Sequence, residues 1–155
     1  RLMVSHDYHI HPVSHGHAKA LAELHKGCFA KGWSYLEFES FFERAGVFAA
    51  IAYHKEKTPV GFVLCWLIGD QCDLLSMGVL EPYRRDGVGQ MLLDYALANA
   101  ASLGATHMVL EVNINNTAAQ TLYAAQGFEQ FSIRKGYYTN ADGTTADAMC
   151  MRKAL

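Results

Sequence analysis

Three groups of residues have the types and spacing to do chemistry together. The first is Arg84, Gly87 and Gly89, which form Arg-x-x-Gly-x-Gly inside Val79-Leu80-Glu81-Pro82-Tyr83-Arg84-Arg85-Asp86-Gly87-Val88-Gly89-Gln90, where an apolar run meets an amphipathic helix. Glycines at such a turn let backbone N–H groups approach an anion. The helix start adds unpaired donors and a positive dipole end, and arginines add charge-assisted bonds to phosphate oxygens. Spacing alone is equally met by a tight turn with a helix cap. The pattern lacks the Gly-Lys-Ser/Thr ending of a P-loop and has Arg84 where a dinucleotide fingerprint has its first glycine.

The second is Glu111, set within Met108-Val109-Leu110-Glu111-Val112. A carboxylate in a strand expected to be covered on both faces is unfavourable unless paired, hydrated or used, so Glu111 is a candidate general base. A strand-end glutamate reaching water satisfies the same pattern. The third is Tyr123, on a helix with Ala119 and Leu122. Its simplest role is that of a core aromatic, but a phenol with a reference pKa of about 10 can also donate a proton at neutral pH. Asn115 and Asn116 precede that helix. Either can cap it, which leaves the other to bond an amide-bearing ligand.

The elements that must position these residues follow from periodicity and punctuation. Tyr8 to Val13 reads as a strand, and Ser14 as the cap of a helix over His15 to Lys26 that Gly27 would end. Ser34 and Glu37 make a capping box with Trp33 in the staple position, and Leu36, Phe38, Phe41 and Phe42 supply the apolar side. Val47 to His54, Val60 to Gly69 and Cys72 to Leu80 form a meander with a polar turn at Lys55 to Pro59. Gly87 to Leu103 is strongly helical and stops at Gly104. His107 to Asn113 is the next strand, reached by a right-handed parallel crossover. Asn116 to Gln126 is a helix ended by Gly127, and Phe128 to Tyr137 and Ala146 to Arg152 are strands joined at Asn140 to Gly143. The expected fold is α/β: one mixed, mostly antiparallel sheet of about seven strands flanked by about four helices.

At 155 residues, 51% apolar and 18% charged, the chain is expected to form one domain over residues 1–155 with a sizeable core. A formal net charge of −2 gives no general attraction to nucleic acid or to an anionic membrane. Cys28, Cys65, Cys72 and Cys150 show no Cys-x-x-Cys pairing, so reduced, mostly buried thiols are expected. None adjoins the glycine turn with a base at recognisable spacing, which disfavours a covalent acyl-cysteine route. His6, His9, His11, His15 and His17 fit no regular ligand array, and no metal is expected. Arg1 and Leu2 before Met3 are compatible with a remnant of cloning. No apolar run reaches the ~18 residues of a membrane span, and no signal-peptide pattern opens the chain, so a cytoplasmic location is expected.

The glycine turn resembles the acyl-CoA signature of the GCN5-related N-acetyltransferases (GNAT), Gln/Arg-x-x-Gly-x-Gly/Ala at this strand-to-helix junction. Within that superfamily, Glu111-Val112, Asn115-Asn116, Ala118-Ala119, Leu122-Tyr123 and Gly127-Phe128 are similar to the second half of bacterial ribosomal-protein-alanine N-acetyltransferases. So are Arg134-Lys135-Gly136-Tyr137-Tyr138, Ala141-Asp142-Gly143 and Asp147-Ala148, and Trp33-Ser34 resembles a Pro-Trp-Ser segment in which Gly32 replaces the proline. The resemblance covers roughly Trp33 to Met151. It implies Glu111 as proton acceptor and Tyr123 as proton donor. It also implies acetyl-CoA held by Met77, Gly78 and Val79 along the strand edge, by Arg84, Arg85, Asp86, Gly87, Val88, Gly89 and Gln90 at the turn, and by Asn116. The implied activity is acetyl transfer to the N-terminal amine of a protein, a ribosomal protein beginning with alanine, by a monomer or weak dimer. The alternatives are a GNAT enzyme acting on a small amine such as a polyamine or aminoglycoside, and a non-catalytic acyl-CoA-binding module.

Overall fold

The computed structural model describes residues 7–155; the readings of His6 and of Arg1, Leu2 and Met3 fall outside them. The element order is β1 (Tyr8–Val13), α1 (Ala18–Cys28), α2 (Tyr35–Phe42), β2 (Val47–His54), β3 (Thr58–Ile68), β4 (Gln71–Val79), α3 (Val88–Ser102), β5 (His107–Asn113), α4 (Thr117–Ala125), β6 (Glu129–Thr139) and β7 (Thr145–Ala154). The strands form one seven-stranded sheet in the order β1-β2-β3-β4-β5-β7-β6. Among the described residues only β4 and β5 pair in parallel, as a strand–helix–strand crossover through α3 requires.

Alternation along the central strands builds a core on each face of the sheet. In β2 and β3, Ala49, Ile51, Phe62 and Leu64 point to one side, where they meet Leu21 and Leu24 of α1 and Phe38 of α2. Ala50, Ala52, Val63 and Cys65 point to the other, against Leu92, Leu93 and Ala96 of α3. No helix of the described residues is long and apolar enough to cross a membrane.

The sheet opens at its middle. β4 and β5 pair from Gln71↔His107 to Leu74↔Leu110 and no further, although β4 runs on to Val79 and β5 to Asn113. The β3–β4 register passes from Leu64↔Ser76 to Cys65↔Leu74, so Leu75 is an inserted residue at the point where the two strands part. A bulge bends its strand, and here the bend accompanies the separation of β4 from β5. Beyond it, the edge of β4 that faced β5 has no strand partner among the described residues, and its backbone groups are left for something else.

Local signals settle most boundaries. Ser34 and Glu37 form both bonds of the capping box, and the Trp33 ring packs on Phe38 at 5.7 Å between centroids, completing the staple. Three expectations are corrected. Ser14 makes no side-chain cap; a short 3₁₀ turn over His15–His17 leads into α1 instead. Gly27 does not end α1. The helix runs on to Cys28, and a Cβ at Gly27 would lie 2.6 Å from Leu80 Cδ2, so a side chain there would have to displace the end of that leucine. Leu36 is 62% exposed, since the buried side of α2 falls at Phe38.

Candidate active site

The turn between β4 and α3 has the backbone expected of an anion cradle. Arg85 (φ 70°) and Gly87 (φ 86°) are both left-handed, and the first intrahelical bond runs from Met91 N–H to the Gly87 carbonyl at 3.1 Å. The N–H groups of Val88, Gly89 and Gln90 therefore have no intrahelical acceptor and lie at the positive end of the α3 dipole. A Cβ built on Gly89 would meet Leu122 Cδ2 at 3.4 Å and Val79 Cγ2 at 4.0 Å, both ordinary contacts. The protein's own packing does not require glycine there, so its missing side chain leaves room for an approaching ligand.

The expected donor-side residues converge on one cavity of about 670 Å³. It is lined by Met77, Gly78 and Val79 from β4, Arg84, Arg85, Gly87, Val88, Gly89 and Gln90 from the turn and α3, and Asn116 at the start of α4. Its volume is within the range of small-molecule sites. Asp86 is the exception. It does not line this cavity, and its carboxylate accepts a hydrogen bond from the Tyr8 hydroxyl at 2.6 Å, tying the turn to β1. Arg84 is partly committed as well, since its Nε donates to the Val79 carbonyl at 2.8 Å and fastens the turn to the end of β4. Asn116 caps α4, its Oδ1 accepting from Ala119 N–H at 3.1 Å. Asn115 lines a second cavity.

That second cavity, about 660 Å³, lies on the β5 side and shares Cys28, Phe29, Met77, Asn116, Ala119 and Tyr123 with the first. Glu111 lines it too, and also a third of about 330 Å³ with Tyr137 and Tyr138. The side chains expected to accept and donate a proton thus face one chamber. Tyr123 is 6% exposed, and burial, with a smaller contribution from Cys65, pushes its phenol up to about 12. It is a protonated donor at any physiological pH. On β5, Met108, Leu110 and Val112 are buried while Val109 and Glu111 are half-buried. The strand is therefore closed on one face only, because the face carrying Glu111 looks into the opening beside β4.

Glu111 is neither isolated nor fully satisfied. Its Oε1 accepts from Arg134 Nη1 at 2.7 Å, whereas Oε2 is buried without a hydrogen-bond partner. Burial foremost, then the Glu111 carboxylate, raises the phenols of Tyr137 and Tyr138.

Three wall residues escaped the sequence reading. His25 is 3% exposed and stacks on Trp33 (4.5 Å) and Phe29 (4.4 Å), and its Nδ1 accepts from Trp33 N–H at 3.0 Å. That bond fixes the neutral tautomer with the proton on Nε2. Phe29 closes the seam between the two cavities. Cys28, set aside on sequence distance, lines both; a Cβ on Gly78 would lie 2.8 Å from its sulfur. Burial raises the Cys28 thiol, partly offset by the Arg84 guanidinium beside it. Cys28 is half-buried, and the net upward shift disfavours the thiolate that a covalent route needs. All four cysteines are free, and the described residues hold no group of three or more His, Cys, Asp or Glu that could bind a metal.

An open sheet split beside a glycine cradle defines the class. Residues 18–128 match the model of the Acetyltransferase (GNAT) family, and the chain belongs to that family of acetyl-CoA-dependent N-acetyltransferases. Among its relatives is the [ribosomal protein bS18]-alanine N-acetyltransferase of Haemophilus ducreyi, 31% identical over 101 residues, which are 65% of this chain and 70% of that one. The match to the counterpart in Escherichia coli K12 spans 60% of that protein's length. N-alpha-acetyltransferase 50 of Danio rerio is 30% identical over 142 residues, 88% of this chain and 82% of the relative. The crystal structure of the ribosomal-protein-S18-alanine N-acetyltransferase from Escherichia coli superposes with a TM-score of 0.88 at 25% identity, covering 96% of this chain and 94% of that one.

Proposed function

We propose that this chain moves the acetyl group of acetyl-CoA onto the α-amino group of a protein N-terminus, its acceptor being a ribosomal protein that begins with alanine. The observation that carries the reading is the shared chamber: Glu111 and Tyr123 line the same space, and the cradle cavity shares six wall residues with it, Tyr123 among them. Relatives named for bS18-alanine and for N-alpha acetylation support the class of acceptor.

The diphosphate of the donor is assigned to the N–H groups of Val88, Gly89 and Gln90 and to Arg84 and Arg85, with Asn116 as a side-chain contact. The pantetheine arm is assigned to the free edge of β4 at Met77, Gly78 and Val79. An α-amino group has a reference pKa near 8 and is largely ammonium at neutral pH, where it cannot attack. Glu111 takes its proton, directly or through a water, and the amine nitrogen bonds to the acetyl carbon. Backbone donors beside Val79 stabilise the oxyanion that develops. As the carbon–sulfur bond breaks, Tyr123 gives its proton to the departing thiolate, and the second proton that the nitrogen sheds on becoming an amide restores the phenol, so the cycle releases CoA thiol and the one proton first taken by Glu111.

Asp86 is read as a support of the turn through Tyr8 and not as a direct contact. The compartment in this reading is the cytoplasm, and the enzyme acts as a monomer or weak dimer with no nucleic-acid or membrane partner. Glu111→Gln and Tyr123→Phe are each expected to lower kcat about 10²-fold while acetyl-CoA binding survives. Near-normal turnover in both would overturn the assignment. A panel of N-terminal peptides competed against polyamines and aminoglycosides, scored by kcat/KM, tests the acceptor, and a preference for the small amines would replace it.

A further inference from the structure

β6 departs from regular pairing beside the base. Its register with β7 passes from Arg134↔Ala148 to Tyr138↔Ala146, so Lys135, Gly136 and Tyr137 stand opposite Asp147 alone. A bulge of this size needs an anchor, and Asp147 supplies it. Its Oδ1 accepts from Gly136 N–H at 2.9 Å, and its Oδ2 lies 3.6 Å from Lys135 Nζ. Gly136 turns the chain at φ 61°, a conformation that favours glycine.

Arg134 stands at the foot of this bulge. Its guanidinium lies 4.8 Å from the centroid of the Tyr137 ring while Nη1 donates to Glu111 Oε1 at 2.7 Å. The carboxylate is thereby made asymmetric, with Oε1 held and Oε2 buried without a partner. A buried carboxylate oxygen with no donor is costly unless a ligand or a water meets it during the working cycle. The ion pair itself is half open to water, with the Arg134 side chain 54% exposed, and such pairs add little to stability. Its worth lies in orientation.

We infer that Arg134 is the positioning residue of the base: it pins one oxygen of Glu111 so that the other is presented to the acceptor ammonium, and the Asp147-anchored bulge holds it in place. Arg134 exchanges no proton. It fixes the carboxylate rotamer in the substrate-free enzyme, so the proton leaving the amine meets an oxygen that carries no donor already. The inference rests on Glu111 being the base.

Steady-state kinetics with saturating acetyl-CoA and an alanine-starting peptide test it in Arg134→Gln, Arg134→Lys, Asp147→Asn, Glu111→Gln and the Arg134→Gln/Glu111→Gln double variant. Arg134→Gln is expected to lower kcat about 10-fold or more while KM for acetyl-CoA stays within about 2-fold, with Arg134→Lys recovering part of the loss and Asp147→Asn losing less. In the Glu111→Gln background the Arg134 change should cost nothing further, since no carboxylate remains to orient; a merely structural role would add to the loss. A slow Glu111→Gln beside an unaffected or faster Arg134→Gln, or losses that simply multiply, overturns the positioning role alone. Normal turnover in Glu111→Gln overturns the base and this inference with it.

Discussion

His25 couples the stability of the chamber wall to pH, and the size of the coupling can be worked from its surroundings. The ring is packed among Phe29, Trp33, Phe38 and Phe62, and burial, only partly offset by Glu37, lowers its pKa from 6.5 to about 4. Protonation would also turn Nδ1 into a donor facing the Trp33 N–H that now donates to it. Because the folded value is the lower one, the unfolded chain binds more protons between pH 6.5 and 4. The stability that His25 contributes is therefore complete above about 6.5 and is lost as pH falls toward 4. The full swing is the shift multiplied by about 1.4 kcal/mol per pH unit, or roughly 3 kcal/mol, of which about 2 kcal/mol falls between pH 7 and 5. With a urea m-value of about 2 kcal/mol per molar, that is a fall of about 1 M in the unfolding midpoint. Urea unfolding of the parent and of His25→Gln at half-unit steps from pH 7.5 to 4.5 isolates the effect, because every other titrating group is common to both. The stability gap between them should narrow as pH falls. A gap that is constant across the series would refute the argument, since the imidazole would then not be held neutral by the fold.

Two further substitutions separate the donor site from the fold around it. Gly89→Ala adds a methyl with only ordinary contacts inside a helix, so the protein should be unchanged or up to about 1 kcal/mol more stable, while KM for acetyl-CoA rises by about 10-fold or more. Thermal unfolding beside steady-state kinetics checks it, and an unchanged KM would mean that nothing approaches the turn there. Tyr8→Phe removes the 2.6 Å hydrogen bond to Asp86 and should destabilise the protein by about 1–2 kcal/mol and weaken acetyl-CoA binding by loosening the cradle. Urea unfolding and calorimetric titration with acetyl-CoA read the two effects, and a stable variant that binds normally would show that the turn holds its shape without this tie.

What was legible beforehand is what is encoded over a few residues. The Ser34 box and its Trp33 staple, the limits of β2 and β5, the glycine turn into α3 and the Asn116 cap all depend on neighbours three or four positions away, and each is found where the sequence put it. The failures have the opposite character. Gly27 reads as a helix stop by local rules, but α1 runs on to Cys28 and Leu80, 53 positions later, packs against the glycine. Asp86 reads as one more turn residue facing the ligand, but Tyr8, 78 positions earlier, claims its carboxylate. Glu111 reads as a strand carboxylate in search of a partner, and the partner, Arg134, comes from a strand that reaches it only through a bulge whose register no periodicity announces. Cys28 lies 56 positions before Arg84 in sequence, and the fold nevertheless sets it in the wall beside the glycine turn. The site is therefore half local and half long-range. The glycine turn proposed to grip the donor is written in one contiguous stretch, whereas the chamber wall is assembled from α1, the loop before α2, β4, β5, α4 and β6. A donor site shared by a family can be confined to one motif because its ligand does not change. An acceptor site that must fit a different amine in each member is better dispersed over several elements, where single substitutions adjust the wall without disturbing the turn.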